Sequence, residues 1–176
     1  MFEAILLFFL FLSAALLCFV VFSSAFSLLQ TRVPFVSTAD DDIKYLVEKN
    51  SIKPGDIFYD LGSGYGKVVF LVEKLSGAET VGFELNYAMY MLARLKKIFN
   101  RSRAVFFNRN FFEADWSEAS IIYCYLFPPL MPQIEKKILE NCKPNTTVIC
   151  RDFPLPNLKP HHIGSPNKHK LFFYRL

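Results

Sequence analysis

The chain holds 176 residues, 52% of them hydrophobic and 20 of them phenylalanine, with a formal net charge of +4. This length accommodates one domain plus an appendage and excludes a multidomain assembly. The four cysteines lack CxxC or cysteine–histidine spacing, which excludes a disulfide scaffold, gives no metal site and reads as unpaired thiols.

From Ala4 to Leu29 there is no charged residue, only leucine, phenylalanine, valine, alanine and their like. Crossing a bilayer takes about 20 apolar residues. A cleavable signal peptide is the competing reading, but Glu3 is the only charge before the run, where positive residues belong, and the run exceeds an h-region. A buried core helix this long and uniform does not suit so small a domain. The expectation is a transmembrane anchor over 1–30. Arg32 is the first basic residue and every other Lys and Arg follows it, which favours a single-pass protein with its domain on the cytoplasmic side. The basic excess suits a membrane surface, a nucleic acid or an acidic protein and selects none of them.

Residues 31–53 read as a linker and an N-terminal helix. Pro34 disfavours helix at Val33. Ser37 or Thr38 can cap the helix, with Asp40, Asp41 and Asp42 in its first turn and Ile43, Leu46 and Val47 as its apolar stripe. Lys53-Pro54-Gly55-Asp56 turns the chain into a first strand, and 54–176 reads as one domain. A helix is expected from about Gly66 to Leu75, a strand from Thr80 to Glu84, and a helix capped by Asn86 through Met89, Leu92, Leu95 and Ile98. A strand at Ala104–Asn108 follows, then a central strand at Ala119–Leu126, continuously apolar as a buried parallel strand should be. Pro128-Pro129 opens another helix, and Thr147–Phe153 is the fifth strand. Pro154, Pro156 and Pro160 forbid a regular helix after it. Short strands near His162 and at Leu171–Tyr174 close the chain. Strands alternating with helices predict an α/β, Rossmann-like, mostly parallel sheet with a C-terminal antiparallel hairpin.

The chemistry concentrates in Asp60-Leu61-Gly62-Ser63-Gly64-Tyr65-Gly66, between an apolar strand and a helix, and in Glu84 at the tip of the second strand. The turn reads G-x-G-x-G rather than the G-x-G-x-x-G of dinucleotide sites. A carboxylate at Asp60 repels a pyrophosphate, which prefers an open helix N-terminus. It tolerates a cationic, amino-acid-bearing ligand such as S-adenosylmethionine. Glu84 is placed to accept hydrogen bonds from ribose hydroxyls.

These residues resemble motif I and the following acidic motif of class I (seven-β-strand) S-adenosylmethionine-dependent methyltransferases. The resemblance implies that Asp60, Gly62, Ser63 and Gly64 lie under the methionine part of the cofactor and that Glu84 binds the ribose. It further implies an adenine contact after the third strand, where Asn110 stands in place of the usual acid, followed by apolar Phe111. A narrower likeness links Val33-Pro34-Phe35-Val36-Ser37-Thr38, Tyr125-Leu126-Phe127-Pro128 and Arg151-Asp152-Phe153 to small protein-lysine methyltransferases, some of them membrane-anchored. By that likeness Phe35, Ser37 or Thr38 close over the site, and Tyr125 and Asp152 face the acceptor as catalytic residues. The Asn/Asp-Pro-Pro-Tyr/Phe signature of many DNA and glutamine N-methyltransferases is missing, so a protein substrate is expected and a nucleic acid is not. Core packing for Phe111 and Phe112, a strand-end core position for Tyr125, a salt bridge to Arg151 or a nearby lysine for Asp152 and solvated His161 and His162 are the structural alternatives. Methylation of a small molecule, lipid or quinone, and a cofactor-binding module without turnover, are the functional ones.

Overall fold

The computed structural model describes residues 2–31 and 37–176. The segment 32–36, with the closing role expected of Phe35, lies outside the described residues. Helix α1 (Phe2–Thr31) is 30 residues long, about 45 Å at 1.5 Å per residue. Its stretch Phe2–Phe19 is long and apolar enough to cross a membrane, and none of it is buried in the domain. Phe19 meets Tyr87 edge to face, with ring centroids 6.4 Å apart.

Helix α2 (Asp40–Lys49) precedes strand β1 (Ile57–Leu61), helix α3 (Lys67–Ser76), strand β2 (Glu79–Phe83), helix α4 (Tyr87–Asn100) and strand β3 (Val105–Phe107). Strand β4 (Ile121–Cys124), helix α5 (Met131–Asn141), strands β5 (Thr147–Arg151), β6 (His162–Gly164) and β7 (Leu171–Arg175) complete the order. Among the described residues seven strands form one sheet, β3-β2-β1-β4-β5-β7-β6. The first five are parallel; β7 pairs antiparallel with β5 and with β6. This is the Rossmann-like sheet with an antiparallel C-terminal hairpin that the sequence predicts. Several expected strands are longer than the observed ones, because residues at both ends belong to turns rather than to the ladder.

Side chains alternate across the sheet. Tyr59, Leu61, Ile122, Cys124, Val148 and Cys150 pack on one face against Trp116 and against Ile134 and Ile138 of α5. Phe58, Ile121, Tyr123 and Ile149 pack on the other against Ile43 and Leu46 of α2 and Val68 and Val72 of α3. Cys124 and Cys150 are buried thiols. No helix covers the stretch between β5 and β6. Instead the buried Glu135 carboxylate of α5 accepts hydrogen bonds from the backbone N–H groups of Asn157 and Leu158, at 2.9 and 2.6 Å.

One local expectation differs from the structure, and two side-chain arrangements add to what the sequence offered. Neither Ser37 nor Thr38 caps α2: the N-cap is Ala39, with no side-chain cap. The Thr38 hydroxyl pairs instead with the Tyr123 hydroxyl at 2.8 Å, and Ser37 with Tyr65 at 3.3 Å, so tertiary partners win over the local cap. Asp40, Asp41 and Asp42 stand in the first turn of α2 as expected, with separate partners. Asp40 pairs with Lys67 at 2.7 Å and Asp41 with Lys44 at 3.3 Å, but Asp42 is buried on Arg151. Finally, the apolar residues that mark α4 do not face the core. Asn86 caps the helix as expected, accepting from the Met89 N–H. Ala88 and Ala93 are buried, while Leu92, Leu95 and Ile98 are 40%, 51% and 72% exposed.

Candidate active site

Parallel pairing brings the carboxyl ends of β1 to β5 to one rim, where ligands bind in open α/β sheets. At its centre lies Asp60, buried between β2 and β4. Burial first, and the Glu84 carboxylate second, push its carboxyl up to about 8. The chain then turns sharply. The Gly62 and Ser63 N–H groups both donate to the Phe83 carbonyl at 2.9 Å. Gly64 has φ +54° and donates its N–H to Glu84 Oε2 at 2.8 Å. Gly66 has φ +83°, and a Cβ there would sit 2.7 Å from the Phe106 ring. Both positions require the left-handed region that glycine enters without strain. Glu84 Oε1 accepts the Asn86 N–H at 2.7 Å, so one carboxylate fixes both the turn and the start of α4. Burial raises the Glu84 carboxyl, against the lowering effect of those backbone N–H groups.

Asn110 and Phe111 stand beyond β3. The Asn110 carbonyl oxygen accepts the Phe112 N–H at 3.1 Å, capping the turn Phe111–Glu113. Phe111 is half-buried, with its ring 4.6 Å from that of Phe112, and its carbonyl accepts the Trp116 indole N–H. The core-packing alternative therefore describes much of what Phe111 and Phe112 do.

The opposite flank is built by Tyr125, Arg151 and Asp152. Period-two alternation puts Asp60, Tyr123, Tyr125 and Arg151 on the face covered by α2. Arg151 stacks its guanidinium over the Tyr125 ring at 4.4 Å and meets Asp42 at 2.8 Å. Burial first, and the neighbouring Asp152 carboxylate second, raise the Tyr125 phenol. Asp152 does not bond to Arg151. Its Oδ2 lies 2.7 Å from His169 Nδ1, and its Oδ1 accepts the Lys170 N–H at 3.2 Å. Asp152 also sits at φ +61°, a conformation that a non-glycine residue adopts at a cost of about 1–3 kcal/mol and that clusters at functional sites. His162 is not merely solvated: it shares a hydrogen bond of 2.9 Å with the Tyr45 hydroxyl.

Sequence reading missed His169, Asp42 and Arg151 as parts of this rim. His169 follows the Gly-Ser-Pro-Asn turn, and only the β5–β7 pairing brings it to Asp152. The charge signal at Asp42 was readable; its partner across the fold was not.

The residues fit a sulfonium cofactor. A buried carboxyl at Asp60 whose charged neighbour among the described residues is the Glu84 carboxylate, together with a glycine turn open to close approach, makes up a cationic nucleoside's contact set. Fold and site together define a class I S-adenosylmethionine-dependent methyltransferase. Residues 60–162 match the family model of the ANTKMT methyltransferase domain, and the chain belongs to that family. A protein-lysine N-methyltransferase of Saccharolobus islandicus (strain REY15A) is 29% identical over 151 residues, covering 81% of this chain and 93% of that protein. The ATP synthase C-subunit lysine N-methyltransferase of Xenopus laevis is 27% identical over 82% of this chain, which spans 64% of that protein's length. In structure, an RNA methyltransferase from Salinibacter ruber in complex with S-adenosyl-L-homocysteine superposes with a TM-score of 0.77 at 26% identity, covering 80% of this chain and 93% of that one.

Proposed function

We propose that the protein transfers a methyl group to a lysine ε-amino group of a protein substrate, and that α1 tethers it to a membrane. The observation that carries the acceptor assignment is the contact of Asp152 with Tyr125 and His169 on the flank of the Asp60 rim. The lysine specificity of the Saccharolobus and Xenopus relatives supports the same reading.

The cofactor supplies a methyl carbon already activated by a positive sulfur. The chain's own residues therefore bind, orient and manage one proton. Asp60 balances the cofactor's positive charge, and Glu84 takes the ribose. Asn110 and Phe111 border the adenine position, Asn110 with the second lone pair of its carbonyl oxygen. A lysine acceptor arrives as an ammonium and is not nucleophilic until it loses a proton. Tyr125, Phe127 and Phe153 supply an aromatic wall, which disfavours the charged ammonium. Asp152 accepts from the Nδ1–H of His169, which leaves the Nε2 lone pair for the acceptor's proton. The Tyr125 hydroxyl, beside Asp152, orients the neutral amine.

The test is incubation of the full-length protein with solubilised membrane proteins and methyl-labelled cofactor, followed by peptide mass spectrometry. Methyl-lysine on a protein, lost in the Asp152→Asn variant, is the expected result. Label in the lipid extract or in RNA instead would refute the acceptor assignment. Resistance of the protein to alkaline carbonate extraction tests the tether.

A further inference from the structure

Helix α4 is amphipathic in the wrong direction for a helix that only packs on a sheet. Tyr87, Met91, Leu95 and Ile98 recur at helical spacing, with Leu92 and Phe99 on the adjoining row, so all six fall within one side of the helix. Every one is exposed, up to 77% for Phe99, while Ala88 and Ala93 are buried and Tyr90 packs half-buried beside Ala93. Neighbouring Val105 and Phe107 of β3 add two more exposed apolar side chains at the same sheet edge. Beside this face runs a groove of about 510 Å³ between α4 and β3. Arg94, Lys97 and Arg101 line it together with Tyr90, Ile98 and Val105, and no acid is among its lining residues. Lys96 flanks the apolar side from the other direction, stacked on Tyr65. Glu73, an acid near the groove's end, is engaged by Ser102 and Arg103.

An apolar side with cationic flanks is the pattern of a helix lying in a membrane interface, its apolar residues about 5–10 Å into the headgroup–acyl boundary. The position in the fold agrees. Phe19, within the apolar run of α1, packs on Tyr87, the first residue of α4. That contact lies at one end of α4 and leaves Leu95, Ile98 and Phe99 open at the other. We propose that this face of α4 is a bilayer contact. Leu92, Leu95, Ile98 and Phe99 enter the acyl boundary, and the Arg94–Lys97–Arg101 groove seats the phosphate of an anionic phospholipid. The proposal builds on the tether read from α1. A nucleic acid would use the same cations but has no need of the apolar row beside them.

Tryptophan is a suitable probe, since the sequence holds only Trp116 and it is fully buried. Single variants Leu95→Trp, Phe99→Trp, Phe11→Trp and Ile163→Trp of the full chain would be reconstituted in vesicles with brominated acyl chains. Ile163 lies in the strand at the opposite sheet edge and is the aqueous control. Emission from Leu95→Trp and Phe99→Trp should be quenched at least about threefold more than from Ile163→Trp, as shallow insertion requires. It should be quenched more in phosphatidylglycerol than in phosphatidylcholine vesicles, and charge reversal of Arg94, Lys97 and Arg101 to Glu should remove that difference. Quenching of Phe11→Trp alone would overturn the α4 contact and leave the tether standing. If neither is quenched, both readings fall; if only α4 probes are quenched, the contact stands without the tether. Millimolar inorganic phosphate abolishing the phosphatidylglycerol preference would make the groove a small-anion site and overturn the lipid assignment. So would an RNA oligonucleotide that displaces the vesicles from the groove.

Discussion

The Asp42 carboxylate and the Arg151 guanidinium meet at 2.8 Å with both side chains at most 1% exposed. This pair ties α2 to the end of β5, and Asn167 adds a hydrogen bond of 2.9 Å to the other Asp42 oxygen. Arg151 in turn carries the Tyr125 ring. Removing one partner strands a buried charge, which costs about 3–5 kcal/mol. Asp42→Ala should therefore lower Tm by on the order of 10 °C for a chain of this size, and the Asp42→Leu/Arg151→Met double variant by clearly less. Thermal unfolding of the three proteins checks this.

Asp60 makes stability and cofactor binding depend on pH with opposite signs. Its folded pKa of about 8 lies far above the unfolded value near 4. Between those limits the folded protein holds a proton that the unfolded chain has lost. Without cofactor, stability contributed by this group is full below pH ~4 and falls by up to about 1.4 kcal/mol per unit until pH ~8. Asp60→Asn should flatten that slope. A cationic cofactor instead favours the ionised carboxyl, so its affinity should rise between pH 6 and 8 with release of a proton. Calorimetric titration in two buffers of different ionisation enthalpy measures that proton, and Asp60→Asn should abolish it.

Asp152 should show a trade between stability and turnover. Glycine accepts φ +61° without strain, so Asp152→Gly should fold with stability equal to or about 1 kcal/mol above the parent. It should nonetheless turn over poorly, because His169 and Tyr125 lose their partner. His169→Gln should lower kcat at neutral pH by about 10²–10⁴-fold, the usual size of general-base catalysis, and leave cofactor affinity unchanged. Raising the pH, which delivers the lysine already neutral, should restore part of the rate. A pH–rate profile for both variants decides the point.

The rim formed by Asp60, the glycine turn and Glu84 was legible in the sequence because its parts are local. Asp60 and the glycines lie in one turn, and Glu84 ends the next strand, so spacing alone carries the geometry. On the opposite flank Tyr125 and Asp152 were named only through a resemblance, and their partners were not legible. Thr38 reaches Tyr123 across 85 positions and Asn167 reaches Asp42 across 125, and no local pattern encodes such pairs. His169 lies only 17 positions from Asp152, yet it depends on an antiparallel return that periodicity does not announce. Helix α4 shows a further limit. Periodicity reveals that a helix has an apolar side but not whether that side turns inward.

The Thr38–Tyr123 pair supplies a separate check on the first turn of the domain. Both hydroxyls are buried, and burial raises the Tyr123 phenol well above its usual range. Tyr123→Phe should cost about 1–3 kcal/mol by leaving the Thr38 hydroxyl unpaired, whereas Thr38→Val with Tyr123→Phe should recover much of that loss. A double-mutant cycle in denaturant gives the coupling directly.

The edge-to-face packing of Phe19 on Tyr87 marks where α1 meets the domain. Tyr87 follows Glu84 by three residues, so the apolar run of α1 touches the domain at the rim that holds Asp60 and Glu84 rather than at its base. With α1 across a bilayer, the methyl donor is held close to the lipid headgroups and has little freedom to travel away from them. Choice of target then becomes partly a matter of altitude. Lysines in short loops just outside the membrane come within range, and those on tall extramembrane domains do not, whatever sequence surrounds them.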